Sequence, residues 1–244
     1  LNYSFSNSYN DSDRSTYIFD ALTDYVMSLN HNYLLPGLPA DYEQYLSDSI
    51  SRYSTYRTQR HDVQVMFRYV TDKMNLNAGV TYMPQHTEMA YQYFGVDTVL
   101  KRDVYNISPN IRFRYRWSKQ TSLNINYRGS TSQPSMTDLL DITDDSNPLN
   151  ITKGNPGLKP SFSNNVMVHF NTYNVDAQRG FNVYASFNNT LNSISRKATY
   201  DETTGATTTQ PDNINGNWRA SGGFSFNSAI PANVKFTYST FTDV

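Results

Sequence analysis

Arg112, Arg114 and Arg116 alternate with Phe113, Tyr115 and Trp117, so an extended strand puts three guanidinium groups on one side and three rings on the other. Against water such a ladder favours anionic groups, and against carboxylates it forms ion pairs; acidic neighbours are the simpler expectation. Tyr91, Tyr93 and Phe94 fall close together in the segment 84–103. Exposed in a loop they would stack on a sugar or aromatic ligand, whereas packed against neighbouring chain they would merely hold the loop, which is the plainer reading. Asp141, Asp144 and Asp145, with Asn147, offer hard oxygen ligands to calcium. Their spacing lacks the D-x-D-x-D-G run and closing Glu of a calcium loop, so a solvated cluster is expected and no metal is assigned. The histidines, His31, His61, His86 and His169, show no H-E-x-x-H spacing, and no G-x-S-x-G elbow is present. Without Cys there is no thiolate nucleophile and no thiolate-held zinc. No catalytic constellation emerges, no cofactor is required, and the chain does not read as an enzyme.

The elements that must position these residues are strands. Of the 244 residues 17% are charged and the formal net charge is -1, so no basic field points to nucleic acid. A mean hydropathy of -0.63 reads as water-soluble only if the two faces of a strand are averaged, and in a barrel they cancel. No apolar run reaches the roughly 18 residues of a membrane helix. Period-two alternation recurs at 1–6, 63–69, 75–82, 107–117, 123–128, 166–170, 181–187 with an apparent run on to Tyr200, 218–226 and 234–238. That predicts an all-β fold, an antiparallel up-and-down meander of about nine strands. Only one stretch, 16–29, carries helical spacing, through Ile18, Leu22, Tyr25 and Leu29.

Connections separate the architectures. Those at 71–73, 118–120, 174–180 and 228–233 are short, those at 10–52, 84–103, 130–161 and 201–209 are mostly long, and the two kinds alternate. In an up-and-down sheet alternate connections lie at opposite ends, so every long loop shares one end. Tyr69 and Trp117 abut short turns, where an interfacial girdle lies. These features predict a transmembrane β-barrel rather than a soluble sandwich, which also alternates but lacks one-sided loops.

The segment from Tyr127 to Pro160 carries the most specific strings. Pro134-Ser135 and Leu139 are followed by Asn147, Pro148, Asn150 and Ile151, then by Gly154, Asn155, Pro156, Leu158 and Pro160 in a G-N-P-x-L-x-P string; a further string runs from Pro211 to Gly216. Together they resemble the barrel of TonB-dependent outer-membrane receptors of the Bacteroidetes type. The resemblance implies the outer membrane of a Gram-negative cell, contact with its lipid, and import of a nutrient such as a glycan, siderophore or peptide. It also implies a plug domain and the TonB energy-transducing complex as partners, with a surface lipoprotein as a candidate one. Neither the plug, a TonB box, a signal peptide nor a closing aromatic strand is recognised here, and family barrels have about 22 strands. Residues 1–244 are therefore expected to form part of one barrel domain, a partial slice with long loops at one end and short turns at the other. A slice exposes two strand edges and an apolar face, so the isolated piece is expected to self-associate as a dimer or to fold its sheet upon itself, covering Phe113, Tyr115, Trp117 and Phe170. The alternatives are a β-rich surface-binding or adhesion protein without transport, and an outer-membrane hydrolase. Within the G-N-P-x-L-x-P string, Gly154 is expected to supply a positive φ and the prolines to start the next strand.

Overall fold

Alternating apolar and polar residues become strands wherever each edge finds a partner, and the computed structural model describes this for residues 1–18, 42–48, 50–93, 96–145, 147–230 and 234–243. Among them the strands are β1 (Asn2–Arg14), β2 (Arg52–Val70), β3 (Met74–Tyr93), β4 (Val96–Arg116), β5 (Ser122–Ser132), β6 (Thr143–Asp144), β7 (Asn150–Lys153), β8 (Ser161–Asn174), β9 (Arg179–Leu191), β10 (Ser193–Tyr200), β11 (Thr207–Ile214), β12 (Asn217–Ile230) and β13 (Val234–Asp243). A nine-stranded sheet has the order β1-β2-β3-β4-β5-β8-β9-β12-β13, and a four-stranded sheet the order β10-β11-β7-β6. The first is the expected meander. Among the described residues its outer strands β1 and β13 are not paired with each other, so the sheet is open. The chain divides into two compact units, one made of Leu1–Ser4, Asp62–Pro84 and Tyr105–Val244, the other of Phe5–His61 and Gln85–Val104.

In the first unit the register carries one apolar face from strand to strand. Phe113 stands opposite Ile125, Ile125 opposite Val168, Val168 opposite Ala185 and Ala185 opposite Gly222. Directly opposed residues point to the same side, so these form one row across five strands. Rows of Tyr115, Leu123, Phe170, Val183 and Phe224, and of Ile111, Tyr127, Val166, Phe187 and Ala220, flank it. Along β12 the apolar face runs from Phe226 to Trp218, eight residue steps, which is about 27 Å of strand. Tilted by about 40°, that spans about 20 Å, close to the apolar band of an outer-membrane barrel. Aromatic pairs bound it: Trp117 meets Tyr115 edge-on at 4.8 Å and Phe170 at 6.1 Å near the short turns, and Phe187 stacks on Trp218 at 6.4 Å near the other end. Trp117 is 51% exposed and Trp218 54%, so no layer of this chain covers the band among the described residues. Burial is concentrated elsewhere, at Met136, Leu139, Leu140, Leu158 and Ala206 in the long connections.

The short turns share one end of this unit, as alternation requires. The Arg116 N–H donates to the Lys73 carbonyl at 2.7 Å, and the Tyr173 N–H to the Gln120 carbonyl at 3.1 Å. Each bond joins the turn of one hairpin to the strand end of the next.

Several expectations need correction. The segment 84–103 is no loop: β3 continues through Pro84 to Tyr93 and β4 resumes at Val96. Cross-strand partners compensate for the missing apolar stripe, with Lys101 Nζ 2.9 Å from Glu88 and His86 Nδ1 2.6 Å from Asp103. The strand expected to run to Tyr200 breaks at Asn192, whose φ of 49° turns the chain out of the large sheet. Beyond it, β10 and β11 form a hairpin whose turn occupies 201–206, narrower than the 201–209 expected. Most of the helical stretch 16–29 lies outside the described residues, as does His31; Tyr17 bridges Leu46 in extended form.

Candidate functional site

The polar face of the first unit is built by the same register. Arg112 stands opposite Asn126, Arg114 opposite Asn124 and Arg116 opposite Ser122, while Arg128 stands opposite Asn110. Farther along, Asn126 faces Met167, Asn124 faces His169 and Arg128 faces Asn165; Asn188 continues that last row to Arg219. The side chains of Met66 and Asn110 both crowd the position where a Gly79 Cβ would project, so the three share this face. Two residues on from Met66, Arg68 joins them. The wall is thus asparagine, serine and arginine. Its amides pair across strands, as between Asn165 and Asn188, and Ser122 Oγ donates to Asn171 at 2.6 Å.

The acidic partners expected for the arginine ladder do not stand beside it among the described residues. The inward positions 66–70, 75–79, 110–116, 122–128, 165–171, 182–188 and 219–225, taken alternately, include no Asp or Glu. Acidic residues lie farther off, at Asp62 on the same face of β2 six positions before Arg68, at Asp72 and Asp176 in turns, and at Asp243 on the neighbouring strand β13, in register with Ser221. Among the described residues Arg112, Arg114, Arg116 and Arg128 make no ion pair. Neighbouring arginines on one strand face stand about 7 Å apart, where two unit charges in water repel by about 0.6 kcal/mol before salt screening. The column repels itself, and an anion placed along it relieves that repulsion. Arg68, Arg128 and Arg219 were not singled out from sequence, because each needs the register of a neighbouring strand before it joins Arg112, Arg114 and Arg116.

At the long-connection end, two sequence strings turn out to hold each other. The Asn155 amide donates to the Pro211 carbonyl at 3.0 Å, and Gln210 Nε2 to the Gly154 carbonyl at 2.8 Å. The Asn213 side chain accepts from the Lys159 N–H at 2.7 Å and donates to the carbonyls of Lys159, at 3.0 Å, and Asn192, at 2.9 Å. Parallel pairing of β7 with β11, from Asn150 opposite Thr207, completes the small sheet. This is a structural clamp. Gly154 does not have the positive φ expected of it; Gly205 and Gly216 do. Its role is close approach, because a Cβ there would collide with the Leu140 carbonyl oxygen. Asp141, Asp144 and Asp145 do not converge on a cation site: among the described residues no three His, Asp or Glu side chains come together.

The second unit holds the aromatic candidates. Tyr93 is not an exposed ligand platform: it is 4% exposed, lies 4.0 Å beneath the Arg52 guanidinium and accepts a 2.8 Å hydrogen bond from it. Tyr91 meets it edge-on at 6.3 Å and, with Tyr53 and Val99, lines a shallow groove of about 310 Å³. Phe94 lies outside the described residues. The packing reading thus holds for Tyr93, and Tyr91 keeps a partly open face.

Comparison with known proteins adds the following. The profile of the outer membrane protein beta-barrel family matches residues 1–242. No match was found among curated proteins. Of solved structures, the copper transporter OprC is similar with a TM-score of 0.50 at 12% identity, over 98% of this chain and 35% of its own. A double mutant of the Serratia marcescens hemophore receptor HasR, in complex with its hemophore HasA and heme, has a TM-score of 0.43 at 14% identity, over 79% of this chain and 42% of its own. At 12% identity the likeness to OprC is one of fold, and the chain spans less than half the length of either structure.

Proposed function

This chain belongs to the outer membrane protein beta-barrel family, and we propose that it is a section of the barrel wall of a TonB-dependent receptor-like importer. The carrying observation is the two-faced sheet: an apolar band bounded by aromatics on one side, an arginine and asparagine wall on the other. The apolar side meets outer-membrane lipid and the polar side lines the lumen. The long connections open to the cell exterior, where the clamp of β6, β7, β10 and β11 supports loops that capture a nutrient such as a glycan, siderophore or peptide. A plug domain in the whole protein gates the lumen, TonB supplies the energy, and a surface lipoprotein delivers cargo from outside. The barrel contributes binding and passage, without covalent chemistry.

The test is uptake by cells producing the full-length protein. Deleting its gene and deleting TonB should abolish uptake of the same nutrient to the same extent, and collapsing the proton gradient should do likewise. Uptake indifferent to TonB would sink the importer reading. Binding at the surface without uptake would leave a surface-binding protein in its place.

A further inference from the structure

We propose that the arginine column is a binding track for multiply charged anions, and that the imported cargo carries carboxylate, phosphate or sulfate groups. The proposal rests on this sheet being the wall of a barrel lumen. Arg116 stands beside the short-turn end, where its N–H meets the Lys73 carbonyl, and Arg114 and Arg112 climb β4 from there. Arg128 lies one step higher on β5, opposite Asn110, so the guanidinium groups mark about 20 Å of wall at a pitch of about 7 Å. Arg68, placed with Met66 on the same face, widens the track on β2.

Three features favour a mobile anion over a fixed structural partner within this chain. Among the described residues the positions level with the column, from Arg68 on β2 to Arg219 on β12, carry no carboxylate; Asp62, six residues before Arg68 on the same face of β2, lies about 20 Å farther along that strand. Arg112, Arg114 and Arg116 are exposed and make no ion pair among the described residues. The residues opposite them, Ser122, Asn124 and Asn126, are neutral side chains able to hydrogen-bond, which hold oxyanions without competing for the positive charge. Planar guanidinium groups repeated along a strand can pass an anion from one fork to the next, as weak multiple sites permit movement where one tight site would trap it.

The test uses the full-length protein purified in detergent, titrated calorimetrically with tripolyphosphate and separately with trigalacturonate, with maltotriose as the uncharged control. These arms distinguish phosphate from carboxylate cargo. Binding of at least one anion and not of maltotriose is expected, with affinity falling as salt is raised. R112Q/R114Q/R116Q should weaken that binding about tenfold, while R112K/R114K/R116K stays within about threefold of the native protein. Single R114Q gives the same direction if the triple variant does not assemble. Absence of anion binding, binding indifferent to salt and to these variants, or equal binding of maltotriose would overturn the proposal; so would arginines already filled by carboxylates of a plug. Anion binding with TonB-independent uptake would refute the importer and spare the track, whereas TonB-dependent uptake of an uncharged nutrient with no anion binding would refute the track alone.

Discussion

Met167 and Val168 are neighbours on β8 with opposite surroundings, and replacing each by arginine separates the two faces of the sheet. Val168 lies in the middle row of the apolar band, between Ile125 on β5 and Ala185 on β9. Met167 lies between Asn126 and Ser186 in the row that contains Arg112. If the band faces lipid, Val168→Arg places a guanidinium near the bilayer midplane and costs about 2–4 kcal/mol. That shifts the folding equilibrium by about 30- to 700-fold. Met167→Arg puts the same group against a hydrated wall, where the added cost is repulsion from the arginine column, about 0.6 kcal/mol or less per neighbour. The assay is urea unfolding of the full-length protein in phospholipid vesicles, followed by tryptophan fluorescence. Equal destabilisation by the two variants, or a larger effect from Met167→Arg, would refute the assignment of faces. A soluble sandwich would also penalise Val168→Arg, so the comparison is repeated in thinner-acyl vesicles. Only a lipid-facing site should show a cost that changes with bilayer thickness.

Three further outcomes are expected. Gly154→Ala should break the clamp, since the new methyl displaces the Leu140 carbonyl and weakens the bonds from Gln210 and Asn155, each contributing about 1 kcal/mol; hydrogen exchange should rise across 138–160 and 207–214 while the barrel strands keep their protection, and unchanged exchange would contradict it. The Asp201 carboxyl is held below its ordinary value, chiefly by the Thr203 N–H and then by the Thr204 hydroxyl, so its contribution to the 201–206 turn is complete above the ordinary aspartate value and disappears as pH falls through the lowered one. Exchange of the Thr203 amide should accelerate over that acidic window in the native protein, and be flat with pH, after correction for intrinsic rates, in Asp201→Asn, whose amide oxygen still accepts the bond but does not titrate. Finally, residues 1–244 alone should self-associate in aqueous buffer through the face carrying Phe113, Tyr115, Trp117 and Phe170; sedimentation as a well-behaved monomer would count against the exposed apolar band.

Local alternation was enough to identify the strands that have one lipid-compatible face, because period two is imposed on each strand separately by its surroundings. Ile111 to Trp117, Leu123 to Tyr127 and Phe181 to Phe187 declared themselves this way, and the lengths of their connections placed the loops. The extension of β3 and β4 over 85–104 was not legible, since its stability comes from cross-strand pairs such as Glu88 with Lys101, which leave no apolar stripe. Nor was the end of β9: Asn192 is one of many asparagines, and only pairing of β10 with β11 rather than continuation in the large sheet decides its positive φ.

The arginines and the clamp show the same division at the site. The residues Arg112, Arg114 and Arg116 declared a cationic face by spacing alone, yet whether they met carboxylates depended on the register of β4, β5, β8, β9 and β12. That register brings together residues up to about a hundred positions apart. It put asparagine and serine beside them and left the charge unmatched. Likewise the G-N-P-x-L-x-P string announced a fixed shape, but the need for Gly154 lies in the Leu140 carbonyl pressed against it, and the need for Asn155 in a carbonyl 56 positions later. Composition and alternation act along the chain; which groups compensate one another is set across it, by hydrogen-bonded register and close approach that no single stretch of sequence contains.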